Sequence, residues 1–151
     1  MPKTKIIRLN NYNIPEEIYN KILKAIDLLV KYRNPYHFKK MGFKRLYPKI
    51  ASGRYFFKSK KLGLFVKCSF TMDHPWKLSE TQQKNVIPSI ILDFPHYEEM
   101  VGQWIIQPIA DVSNQIKDYA SLVKKNIRQY FFDVCKWNVG NYKNRSVMID
   151  W

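Results

Sequence analysis

KRLYPKIASGRYFFKSKKLGLFVKCSF, residues 44–70, is the stretch whose reading decides the fold. Lys44 to Ala51 reads as a weak strand and Ser52-Gly53 as a turn. Arg54-Tyr55-Phe56-Phe57 reads as a second strand, and Lys60-Lys61 as a second turn. Leu62 to Phe70 reads as a third strand with Lys67 inside it. β-Branched and aromatic residues between glycine- and lysine-marked turns favour an antiparallel meander.

Working outward, the preceding segment has helical character. Asn13 is placed to cap a helix, Pro15 suits its first turn, and Glu16 and Glu17 complement the positive end of its dipole. Ile18, Ile22, Ala25, Ile26, Leu29 and Val30 follow helical spacing up to Asn34-Pro35, where proline restricts the residue before it. Downstream, residues 76–86 read as a short helix with Ser79 near its start. Ser89 to Phe94 and Gln103 to Ile109 read as two more strands around a turn at Pro95 to Glu99. A helix is expected from about Val112 to Tyr130, with Val112, Ile116, Tyr119, Ala120, Val123, Ile127 and Tyr130 on one face. A loop from Asp133 to Gly140 and a short strand from Ser146 to Asp150 complete the reading. The fold class is α+β: a small antiparallel sheet with a helix before it and a long helix after it. The length, 151 residues, suits a single domain with a core of its own.

Composition narrows the classes. Hydrophobic residues make up 46% and aromatics 15%, enough apolar surface to fold. No apolar run approaches the roughly 18 residues that cross a bilayer, and the N-terminus lacks the apolar core of a signal peptide, so no membrane partner is expected. Two cysteines, Cys68 and Cys135, point to a reducing compartment, the cytoplasm. With His37, His74 and His96 they form no zinc-like spacing, and no G-x-S-x-G nucleophile turn is present. The net charge of +14 is concentrated: through Lys67 there are 17 Lys and Arg against 3 Asp and Glu, and from Cys68 onward 9 against 9. Residues 1–67 could therefore attract nucleic acid or ligand phosphates, or form a solvated basic surface.

The chemistry is carried by the run Asp133-Val-Cys-Lys-Trp-Asn138-Val-Gly-Asn-Tyr-Lys-Asn-Arg-Ser-Val-Met-Ile-Asp150-Trp151. An Asp is followed five positions later by Asn and twelve after that by Asp at the end of an apolar strand. This resembles the catalytic segment of the protein kinase and aminoglycoside phosphotransferase superfamily, with its D-x-x-x-x-N loop and later metal-binding Asp. It is similar in particular to short kinase-like proteins of tailed phages, a resemblance that implies host cytoplasm.

The resemblance implies ATP and Mg²⁺ as cofactors and transfer of the γ-phosphate to a hydroxyl. Asp133 would orient or deprotonate the acceptor, Asn138 would ligate one metal ion, and Asp150 would hold the principal one. Lys67 would pair with the α- and β-phosphates, Glu80 with Lys67, and Gly53 and Arg54 would cover the phosphates from the hairpin turn. Gln103 to Asp111 would form the strand and hinge against which adenine lies. Residues 1–40 would then be an N-terminal helical segment, 44–110 a sheet like the kinase N-lobe, and 111–151 a helix with a minimal catalytic segment. Phe131-Phe132 replaces the family's His-Arg, Trp151 stands where Phe would, and Gly53 is a lone glycine where the family has several. The family's activation segment and peptide-positioning helices have no counterpart in these 151 residues. Two other readings fit the same residues: an inactive kinase-like modulator of a host protein, and a nucleic-acid binder acting through residues 1–67.

Overall fold

Continuous apolar runs in the central strands, Ile90-Ile91-Leu92 and Trp104-Ile105-Ile106, decide the architecture, because they give the sheet two apolar faces that must both be covered. The computed structural model describes residues 5–46, 55–69, 83–93, 103–125 and 138–149. The fold is α+β. Strands β1 (Lys5–Leu9), β2 (Lys44–Leu46), β3 (Phe56–Ser59), β4 (Leu64–Ser69), β5 (Ser89–Asp93) and β6 (Gln103–Pro108) form one sheet in the order β1-β5-β6-β4-β3-β2. Every pairing in it is antiparallel. β7 (Val139–Tyr142) and β8 (Arg145–Met148) form a separate hairpin.

Helices α1 (Glu16–Tyr32) and α2 (Tyr36–Lys40) cover the first face. Ile22, Ala25, Ile26 and Leu29 recur at helical spacing and pack with Phe38 and Phe43 on Phe57, Val66, Trp104 and Ile106. Phe38 lies parallel to Phe57 with ring centroids 4.1 Å apart, so α2 is held by an aromatic stack as well as by burial. The second face takes the β7–β8 hairpin and α3 (Gln115–Lys124): Leu9, Val86, Ile91, Ile105, Leu122, Val139 and Met148 make this core.

The meander and the two later strands stand where expected; β3 runs on to Ser59, two residues past the expected end at Phe57, and β4 begins at Leu64, two residues after Leu62. Residues 47–54, including most of the first expected strand and its turn, lie outside the described residues, as do the expected turn at 95–99 and the helix positions 126–130. Several expectations are corrected. The chain enters the sheet as β1 before it forms any helix. Pro15, not Asn13, occupies the cap position of α1, and no side chain bonds the cap; Asn13 is two residues too far upstream to reach the first free N–H groups. Of the expected 76–86 helix, residues 76–82 lie outside the described residues and Gln83 is helical, but the helix does not reach Val86, which makes a parallel bridge to Met148. The buried side of α3 is Asp118 and Leu122, whereas Val112 and Ile116 are exposed. That helix packs on a hairpin presenting Asn141 and Ser146, so a carboxylate, not an aliphatic residue, satisfies the contact. The expected loop from Asp133 to Gly140 already contains the start of β7.

Gly140 makes the hairpin's approach possible. A Cβ there would lie 3.0 Å from the Ala110 Cβ and 3.2 Å from the Asp111 carbonyl oxygen. The segment that meets it is pinned, because Asp111 and Asn141 exchange two backbone hydrogen bonds of 2.8 Å. Gly140→Ala is therefore expected to destabilise the protein by about 1–3 kcal/mol through overpacking. Urea unfolding checks this, and an unchanged midpoint would show that the approach is looser than the distances state.

Candidate functional site

Lys67 is the residue around which the site is built. Its β4 neighbours Val66 and Cys68 point into the α1 core, so alternation turns Lys67 to the opposite face. There it stands across from Phe56 on β3 and Ile105 on β6, and is only 5% exposed. An ammonium so buried must be held by acceptors. Its Nζ donates to the Ile149 carbonyl at 2.9 Å, joining residues 82 apart along the chain.

Ile149 is the residue that leaves β8, and it has a second role. Its N–H donates to the Asn138 carbonyl at 2.8 Å, where Asn138 enters β7. Lys67 and Asn138, both anticipated as site residues, are thus brought to one place through the main chain of Ile149. The hairpin is positioned from three further sides. Met148 donates its N–H to Asn85 at 2.7 Å and accepts from Ile87 at 2.9 Å. Gln115 donates from its side chain to the Val139 carbonyl at 2.9 Å. Asp118, 4% exposed, accepts from Ser146 Oγ at 2.8 Å and Asn141 Nδ2 at 3.2 Å.

The hairpin covers only part of the second face. Beside it a cleft of about 290 Å³ remains open, with Phe56, Phe65, Ile109 and Val112 as apolar walls and Lys67, Gln107 and Asn138 as polar groups. Such a pocket, apolar with a few convergent polar groups, is near the lower end of the usual ligand-site range. Gln107 Nε2 donates to the same Ile149 carbonyl at 3.3 Å. That carbonyl can only accept, so it fixes the amide orientation and turns Oε1 away from it. Oε1 is buried and has no hydrogen-bond partner. A buried acceptor without a donor costs about 1–3 kcal/mol, so the cleft holds a polar atom still to be satisfied.

At the cleft's edge, Ile109 donates to the Gly63 carbonyl at 3.1 Å and ties the linker to the β3–β4 turn. Asp111 accepts from the Ser113 N–H at 2.8 Å, and the Ser113 hydroxyl and N–H together hold its carboxyl below the usual range.

Of the anticipated site residues, Gly53, Arg54, Glu80, Asp133 and Asp150 lie outside the described residues. Among the described residues no cluster of three His, Cys, Asp or Glu side chains could hold a metal ion. Cys68 and Phe57 are both buried in the α1 core. Sequence reasoning missed Gln107 and Asp118. The signal for Gln107 was an amide between the apolar residues Trp104-Ile105-Ile106 and Pro108-Ile109. The Ile149 carbonyl is main chain and leaves no signature. Among the described residues no helix is long and apolar enough to cross a membrane. Comparison with protein-family models, curated proteins and solved structures found no match.

Asp118→Ala is expected to lower stability by about 1–3 kcal/mol, because it strands the Ser146 hydroxyl and the Asn141 amide. Asp118→Asn, which keeps one acceptor, should lose less. Hydrogen exchange of the β7–β8 amides reads the effect locally; equal protection in parent and Asp118→Ala would refute the positioning role.

Proposed function

We propose that the cleft is a kinase-like site for a magnesium–nucleotide, with transfer of the γ-phosphate to a hydroxyl as its activity. The observation that carries this reading is the convergence of Lys67, Asn138 and the residue preceding Asp150 at one cleft wall. A lysine that merely added to a basic surface would be solvated, whereas this one is buried where a phosphate could meet it. The order of elements supports the same reading: hairpin, lysine strand, two further strands, linker, helix, and a hairpin leading to Asp150.

The residues fit such a ligand on two counts. The cleft offers a buried cation for an anionic group and, in Gln107 Oε1, a free acceptor for a donor such as the exocyclic amine of adenine. Magnesium, held by Asn138 and Asp150, would neutralise charge across the β- and γ-phosphates. Lys67 would bind α- and β-phosphate oxygens by charge-assisted hydrogen bonds, its direction set by the Ile149 carbonyl. Phe56, Phe65, Ile109 and Val112 would exclude water from the base. Asp133 would take the proton from the acceptor oxygen as that oxygen attacks. Gly53 and Arg54 would close over the phosphates, and Glu80 would pair with Lys67.

Calorimetric titration with ATP and magnesium tests the reading. The parent is expected to bind, and Lys67→Met to weaken binding by about ten-fold or more while the apolar stem preserves packing. Equal affinity in parent and variant, or no binding by the parent, would refute it. A labelled-ATP assay then separates the two uses of the cleft. In an enzyme, Asp133→Ala lowers transfer by roughly 10²–10⁴ and leaves affinity nearly unchanged. An inactive modulator of a host protein shows no transfer in the parent.

A further inference from the structure

Between residues 28 and 72 the chain carries twelve Lys and Arg and no Asp or Glu. The fold brings six of these, Lys39, Lys40, Lys44, Lys58, Lys60 and Lys61, to one margin of the sheet, where β2 is the outermost strand. Lys44 on β2 stands directly opposite Lys58 on β3. Like charges at facing cross-strand positions repel and weaken the ladder. Lys60 and Lys61 occupy the turn that follows β3, and the corner between α2 and β2 lies against that turn. A Cβ on Gly42 would sit 3.7 Å from Ser59 Oγ and 4.0 Å from Lys61 Cδ. Lys39 and Lys40 end α2, and Tyr36, three and four residues before them, shares their side of the helix. Tyr36 is 56% exposed, its ring set edge-on to His37 at 5.5 Å.

Among the described residues no carboxylate pairs with any of these six lysines; the ion pairs Lys21–Glu17 and Lys31–Asp27 both lie on α1. A charged edge strand discourages edge-to-edge association, which accounts for Lys44 alone. It does not account for Lys58 opposite it, for four more lysines around the corner, or for a tyrosine ring left in water.

We infer that this margin binds single-stranded nucleic acid, its lysines neutralising backbone phosphates and Tyr36 stacking on a base. The inference does not rest on the nucleotide reading: of these residues only Lys58 also lines the cleft, and no variant used below changes it. The arrangement explains the repulsive pair, because a bound phosphate placed between Lys44 and Lys58 turns a destabilising contact into a bridge.

The test is fluorescence anisotropy of a labelled oligothymidylate with the full chain across a salt series, beside thermal unfolding of each variant. For the parent, log affinity should fall linearly with log salt, by about 0.7 per neutralised phosphate. Lys44→Glu separates function from structure because the two effects have opposite sign. It converts the like pair with Lys58 into an opposite pair and keeps the edge charged, so the unfolding temperature should rise. Binding should nevertheless weaken, by about ten-fold at low salt, with a shallower salt slope. Tyr36→Ala should weaken binding by roughly five-fold or more and leave the slope unchanged. Lys21→Gln with Lys24→Gln on α1 removes two charges elsewhere and should leave affinity within about two-fold. Parent-like binding by Lys44→Glu, an equal loss in the α1 control, or tighter binding to duplex than to single strand would overturn the assignment.

Discussion

The hydrogen bond from the Lys67 ammonium to the Ile149 carbonyl is the contact on which the arrangement of the second face depends. A lysine facing inward from the middle of a sheet is expensive unless its charge meets an acceptor. The exit of the β7–β8 hairpin supplies one, and Gln107 adds a second donor to the same oxygen. Sliding the hairpin along the sheet would break this hydrogen bond and the one from Gln107. Its other attachments, Asp111 with Asn141 and Met148 with the 85–87 segment, fix the same position from the linker and from the segment leading into β5.

What the hairpin leaves uncovered follows from side-chain type. Val139 and Met148 close over Ile91 and Ile105, and this half of the face is core. Toward β2 and β3 the sheet presents Phe56, Lys58 and Phe65 beside Lys67, and these line the open cleft. An apolar floor crossed by cations is a poor core and a serviceable anion site. The cleft and the lysine margin are neighbours for this reason: Lys58 belongs to the wall of one and to the repulsive pair of the other.

Much of the sheet was legible because its strands alternate or carry long apolar runs between marked turns, as at Leu64–Ser69 and Ser89–Asp93. The failures have physical causes. Val139-Gly-Asn-Tyr142 contains two residues depleted in strands, and its pairing with Arg145–Met148 creates the strand. Lys5–Leu9 becomes a strand only by pairing with β5. The face of α3 was misjudged because apolar spacing was read where the partner surface is polar, so Asp118 went in and Ile116 stayed out. Lys67 and Asn138 were anticipated from the family resemblance, and the structure links both to Ile149. Gln107 was not, since only the tertiary position of its amide shows that Oε1 lacks a donor.

The central claim is that Lys67 stands at the phosphates of a bound nucleotide. It is tested most directly with a tagged acyl-phosphate derivative of ATP, which acylates the amine beside its phosphates, followed by mass-spectrometric mapping of the modified lysines. The account predicts label on Lys67, removed by excess ATP and magnesium, against a background on exposed lysines that ATP does not alter. Label confined to surface residues such as Lys60 and Lys61, with Lys67 unmodified, would contradict it.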